Sequence, residues 1–215
     1  MTRFINARRE HVALRITSIV LGLITPLACV AQVGPSNLPV RPSASQQLAT
    51  FEQVAKTGKY HTPDALRHPE NYSATTVDGV IDGLETIAIS TKPDGMRRDA
   101  IIALTRGGSD KQRIPGLFDR IVKLYNHDSE LVCVVTIKYI ATGSEPDRGI
   151  ELLKTIATAP APPRCDFAPS LAAEELSHMG KKGRAILSEL YAKSAFIDRG
   201  ALDYVTWFLT EGGKT

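Results

Sequence analysis

Cysteine is scarce in this chain, with three in 215 residues at positions 29, 133 and 165. That excludes the multi-bridge framework that small exported domains use in place of a large core. No Cys-x-x-Cys pair, no His-Glu-x-x-His run and no phosphate-cradling glycine loop occurs. The commonest zinc and phosphate-binding signatures are therefore missing. No serine stands in a nucleophile-elbow context. Ser109, in Gly107-Gly108-Ser109-Asp110, reads as a cap or turn between helices. Strict period-two alternation is lacking except in part of 131–139, so an all-β fold has no support.

A surplus of charge is also lacking once the first 31 residues are set aside. The whole chain carries 26 basic and 23 acidic side chains, formally +3. Arg3, Arg8, Arg9, Arg15 and Glu10 lie in a leader, and removing them leaves 22 of each sign. Nucleic acid recognition needs a clustered basic field, which this balance does not supply. Arg97-Arg98 and Lys181-Lys182-Gly-Arg184 remain as small clusters, read as solvated helix ends or loops. The leader has a basic start, an apolar run over 16–33 broken by Pro26, and Cys29-Val30-Ala31 before a cut after Ala31. Residues 1–31 are thus expected to be a secretory signal peptide, placing the chain in the periplasm or outside the cell. Two alternatives stay open: an uncleaved anchor, and lipid attachment at Cys29, whose Leu27-Ala28-Cys29 resembles a lipobox with Pro26 out of place. Either one is the only route by which this chain would meet a membrane.

After the leader, residues 32–50 are rich in Pro and Ser and are expected to be a disordered linker. Residues 51–215 read as helical. A short helix over 49–56 ends at Gly58. Thr62-Pro63-Asp64 is a helix start with Thr as cap. Val77, Val80, Ile81, Leu84, Ile87 and Ala88 share one face at three-and-four spacing. Further helices are expected from Met96 to Leu104, from Pro115 to Tyr125, from Leu131 to Ile140, from Pro146 onward, over 169–179, over 184–195, and after Asp198. Residues 131–139 are β-branched enough to pass for a strand, but their place in a repeat argues for helix.

That repeat is the strongest positive signal. Ala100-Ile-Ile-Ala103-Leu104-Thr-Arg-Gly-Gly108, Val135-Thr-Ile-Lys138-Tyr139-Ile-Ala-Thr-Gly143 and Ala172-Ala-Glu-Glu175-Leu176-Ser-His-Met-Gly180 share a pattern, their last glycines 35 and 37 residues apart. A fixed period of this size marks units that bury their apolar faces on their neighbours. The shared glycines are expected to be left-handed helix stops, where a Cβ would clash. Asp94-Gly-Met96-Arg97-Arg98-Asp99-Ala100-Ile-Ile-Ala103-Leu104 resembles the first helix of a HEAT repeat, and 114–121 and 147–153 resemble its second helix. Asp128-Ser-Glu-Leu131-Val132 matches the opening only, with Val132 where the family has Arg. Tetratricopeptide landmarks are out of register, and a non-repeating helical domain is the bland alternative. The resemblance, to a secreted bacterial type of HEAT-like repeat protein, spans about 75–195. It implies an all-α, right-handed superhelix (a short HEAT-like solenoid) of about three helix pairs with divergent caps at both ends. Tyr204, Trp207 and Phe208 would close the last unit.

The resemblance also implies a groove lined by the second helix of each pair and a non-catalytic role binding a protein or peptide. It makes Asp119, Lys123, Glu151 and Lys154 the partner-binding residues; their mixed signs argue against a purely anionic or cationic ligand. In register, Cys133 opens one helix and Cys165 precedes the matching helix of the next unit, so either a disulfide or two separate thiols is expected. No catalytic set, metal site or cofactor is indicated. His61 and His68 are seven apart, and His178 suits a helix C-terminus. Glu174 and Glu175 point about 100° apart on a helix and do not face one another. The competing readings are a cofactor-handling or lyase-like helical-repeat enzyme and a structural subunit of an envelope assembly.

Overall fold

A computed structural model describes residues 40–107 and 114–212 of the chain. The leader, residues 32–39 of the linker, and Gly108 and Ser109 lie outside the described residues. The chain is all-α: ten α-helices, and no strand among the described residues. They are α1 (Ala44–Lys56), α2 (Asp64–Arg67), α3 (Ala74–Ile89), α4 (Asp94–Thr105), α5 (Leu117–Tyr125), α6 (Glu130–Ile140), α7 (Pro146–Thr158), α8 (Ala168–Ser177), α9 (Gly180–Ala192) and α10 (Arg199–Trp207). A 3₁₀ turn (Pro69–Asn71) precedes α3, and a π turn (Phe208–Gly212) follows α10.

Helix α1 begins inside the segment expected to be disordered linker. Ser43 and Gln46 form a capping box, which satisfies two orphan amides and starts the helix at Ala44. Its buried residues are Phe51 and Gln47. Gln47 accepts from the Ala65 amide at 2.8 Å and donates to the Pro42 carbonyl at 3.1 Å, so its burial is compensated and ties α1 to α2. At α2 the cap position falls on Pro63, and Thr62 instead shares a hydrogen bond with the Tyr60 hydroxyl at 2.7 Å. Pro115 does not open α5 directly. Gly116, at φ +76°, turns the chain first.

Helices α4, α6, α8 and α10 each pack on the next. Their facing residues, including Ile101, Leu104, Ile137 and Leu176, are fully buried and form a continuous apolar core. Each such side chain contributes roughly 1.5–3 kcal/mol. The 131–139 stretch lies in α6, where neighbours on several sides override its strand propensity. Helices α3, α5, α7 and α9 pack against this series, α3 on α4, α5 on α6, α7 on α8 and α9 on α8. Ion pairs link them in turn. Arg120 of α5 binds Glu85 and Asp82 of α3, with Nε 2.6 Å from Glu85 Oε1. Arg148 of α7 binds Asp119 of α5 at 2.7 Å, and Lys182 of α9 lies 3.4 Å from Asp147 of α7. Exposed pairs of this kind are screened by solvent and stabilise little; Arg120, whose guanidinium forks onto two carboxylates and is largely covered, is the strongest link.

The repeated glycines do different jobs. Gly180 is left-handed, φ +61°, as expected of a helix stop. Gly143 is not: a Cβ there would run into the Thr105 carbonyl at the end of α4. Its smallness permits close approach of the α6–α7 turn to the end of α4 and not a special backbone angle. Two further glycines act the same way. A Cβ on Gly149, four residues into α7, would lie 2.9 Å from the Ile140 carbonyl carbon, and one on Gly183, four residues into α9, would lie 2.8 Å from that of Leu176, with the oxygens nearer still. Each helix starts pressed against the end of the helix before it.

The basic clusters read as solvated are partly structural. Arg97 donates to Ala88 O at 3.0 Å, Asp94 at 3.1 Å and Ser129 Oγ at 2.9 Å, joining α3, α4 and the start of α6. Arg184 donates to Leu209 O at 2.8 Å and lies over the Phe208 ring. Lys181 and Lys182 are exposed, as expected.

Candidate functional site

Helices α5 and α7 bound a depression of about 440 Å³ lined by Phe118, Asp147, Arg148, Glu151, Leu152 and Thr155. Phe118, buried on α5, and Leu152, half-buried on α7 and packed against the core, give it an apolar floor. Arg148 lies over the Phe118 ring, 4.0 Å from its centroid, and is held there by Asp119 and by Glu145 at 3.1 Å. Bonding to Asp119, and then to Glu145, raises the pKa of this guanidinium above its ordinary value. A planar cation clamped on an aromatic face retains in-plane donors while its apolar face is covered.

The four expected partner-binding residues divide. Glu151 lines the depression, and Asp119 anchors Arg148 beside it. Lys154 folds back onto Glu151, at 3.0 and 3.1 Å from its two oxygens. Lys123 is exposed, does not line the depression and has no ion-pair partner among the described residues. Arg148 and Phe118 are the residues that sequence reasoning passed over. The available signal was the spacing from Asp119 to Arg148, close to the repeat step that also separates Glu85 from Arg120 and Asp147 from Lys182.

Cys133 of α6 and Cys165, ahead of α8, are both buried and both stand as thiols. Burial pushes Cys133 up to about 12, and its hydrogen bond with Cys165 adds to the shift. Burial raises Cys165 as well. The pair therefore meets as neutral, unreactive groups between α6 and the segment that leads into α8. Beside it Arg164 donates to Tyr125 O at 2.8 Å and covers the Tyr125 ring.

The histidines stay dispersed. Burial lowers His61 below its ordinary value. His127 Nδ1 accepts from the Ser129 amide at 3.2 Å, and His178 Nδ1 lies 3.7 Å from Glu175, whose carboxyl is raised by burial. Among the described residues no three His, Cys, Asp or Glu side chains converge as metal ligands, and no helix is long and apolar enough to cross a membrane. At the chain's end Tyr204 stacks on Phe208 at 6.4 Å and shares a hydrogen bond with Ser177 at 2.7 Å, while Trp207 remains 53% exposed. Comparison with family models, curated proteins and solved structures finds no match.

Proposed function

We propose that the chain is a HEAT-like right-handed solenoid of about three helix pairs, exported to the periplasm or beyond, that binds a protein or peptide partner without catalysing a reaction. The observation that carries this reading is the run of ion pairs from Asp82 and Glu85 to Arg120, Asp119 to Arg148 and Asp147 to Lys182. A step of 29 to 38 residues connects each helix of the row to the next by the same kind of contact. Stacked units repeat their neighbour contacts, whereas helices wrapped about one centre have no cause to. Binding is favoured because the depression joins an apolar floor to an oriented guanidinium and a carboxylate, the mixture that anchors peptide side chains and main chain together. The absence of net charge after the leader suits a partner of mixed polarity and not a nucleic acid.

A photo-crosslinking residue at Thr155 tests this, with one at exposed Ser188 of α9 as the control. In the native host, position 155 is expected to capture one discrete partner and position 188 none. Asp119→Ala together with Glu151→Ala should reduce the adduct several-fold with a melting temperature within about 3 °C, because both residues make only exposed pairs. Equal capture at 155 and 188, or capture indifferent to the double substitution, refutes the assignment of this face.

A further inference from the structure

A second recess opens away from the α5–α7 depression. It lies between α4, α6 and the loop that joins α1 to α2, and measures about 300 Å³. Arg98 and Ile102 of α4 and Arg106, its C-cap, line it at four-residue spacing, with Asp99 beside them, Tyr139 from α6 and Tyr60 from the loop. Arg106 lies over the Tyr139 ring at 4.9 Å from its centroid. Among the described residues, which leave out 108–113, its side chain has this ring contact and no ion pair or hydrogen bond. The ring orients this cation without neutralising it, and no described residue occupies its fork of N–H donors, which suits an oxoanion. Asp99 is only 4% exposed. Its Oδ1 accepts from Arg98 Nε at 3.1 Å and Nη2 at 2.9 Å, and its Oδ2 has no donor among the described residues. That oxygen keeps some access to solvent, and because Asp99 lines the recess, an entering N–H or O–H donor can bond to it.

We propose that this recess binds a small planar organic carboxylate. Arg98, Asp99 and Arg106 sum to one positive charge, which a monoanion balances and a phosphate dianion exceeds. The fork of Arg106 matches a carboxylate edge, and the two tyrosine rings with Ile102 offer flat apolar walls to the body of the ligand. A volume near 300 Å³ falls at the small end of ligand pockets. A donor on the ligand can bond to the second oxygen of Asp99 in place of water. None of these residues serves the scaffold role proposed above, so the two assignments stand or fall separately.

The test is an amide-resolved NMR titration of the full chain with benzoate, against benzamide as the neutral isostere and inorganic phosphate as the bare oxoanion. Benzoate is expected to saturate, with shifts concentrated at Tyr60, at 98–106 and at Tyr139. Benzamide and phosphate should bind at least about tenfold more weakly, as loss of a charge-assisted hydrogen bond requires. Arg106→Gln, an exposed substitution, should weaken benzoate at least about tenfold with melting unchanged, and Tyr60→Ala should weaken it several-fold. Three results overturn the proposal: no saturable shift at millimolar benzoate, benzamide binding as tightly as benzoate, or affinity unchanged in Arg106→Gln. Phosphate binding more tightly than benzoate overturns the choice of ligand class.

Discussion

Replacing Gly183 with alanine tests the tightest glycine contact among the described residues. The new Cβ would fall 2.8 Å from the Leu176 carbonyl carbon, 3.1 Å from Met179 Cβ, and nearer still to the Leu176 oxygen. The obstacle is main chain, so no rotamer change relieves it, and the first turn of α9 must lift off the end of α8. Overpacking of this kind costs about 1–3 kcal/mol, more where backbone must move. Alanine in a helix interior returns about 1 kcal/mol relative to glycine. The expected net loss is about 2 kcal/mol, a fall of about 4–8 °C in melting temperature for a unit of this size. Gly149→Ala meets the Ile140 carbonyl in the same way, with its carbon at 2.9 Å, and should lose about 1 kcal/mol. Gly95→Ala is the internal control. It lies in the first turn of α4 with nothing within 4 Å, and should gain about 0.5–1 kcal/mol. Urea unfolding followed by circular dichroism at 222 nm gives all three. If Gly183→Ala is as stable as the parent, α8 and α9 do not meet as described and the explanation of the paired glycines fails.

Thr136 is fully buried in α6, and its hydroxyl has no hydrogen-bond partner among the described residues. Thr136→Val keeps the shape, removes the unsatisfied group and should stabilise by about 1 kcal/mol, or about 2–4 °C by scanning calorimetry; a loss of stability would mean the hydroxyl is in fact satisfied. Cys133 and Cys165 should resist a disulfide reagent at pH 8 in the native chain and react at once in urea, because burial keeps both protonated. The folded state holds these protons more tightly than the unfolded chain, whose thiols ionise near 9. Their contribution to stability is therefore constant below pH 9 and declines as pH rises toward about 12. Cys133→Ala with Cys165→Ala should flatten that alkaline slope, and a slope unaltered by the substitutions removes the thiols as its cause.

Much of the helical pattern was legible because apolar spacing reports which face is covered. The stripe Val77, Val80, Ile81, Leu84, Ile87 and Ala88 is the buried face of α3 without exception. Position in the repeat also resolved 131–139 as helix where local propensity pointed the other way. Helix α1 was less legible because it buries only Phe51 and Gln47, too few for a stripe; the capping box at Ser43 and Gln46 was the one clear mark. Gly143 misled because sequence shows a residue without a side chain but not whether the backbone angle or a neighbouring carbonyl demands it. Arg97, Arg120 and Arg148 were hidden for a related reason. A long basic side chain reads as solvated until its acceptors, 29 to 38 residues away in the longest cases, are brought within reach by packing.

The ordered stacking of helix pairs is tested most directly by zero-length carbodiimide crosslinking of the full chain with mass-spectrometric mapping. Lys182 should join to Asp147 in the native protein, and Arg120→Lys and Arg148→Lys should make the other two links reactive toward Glu85 and Asp119. The account predicts those three crosslinks, each between successive members of the α3, α5, α7 and α9 row. Crosslinks that skip a member, such as Lys182 to Asp82 or Glu85, would contradict it.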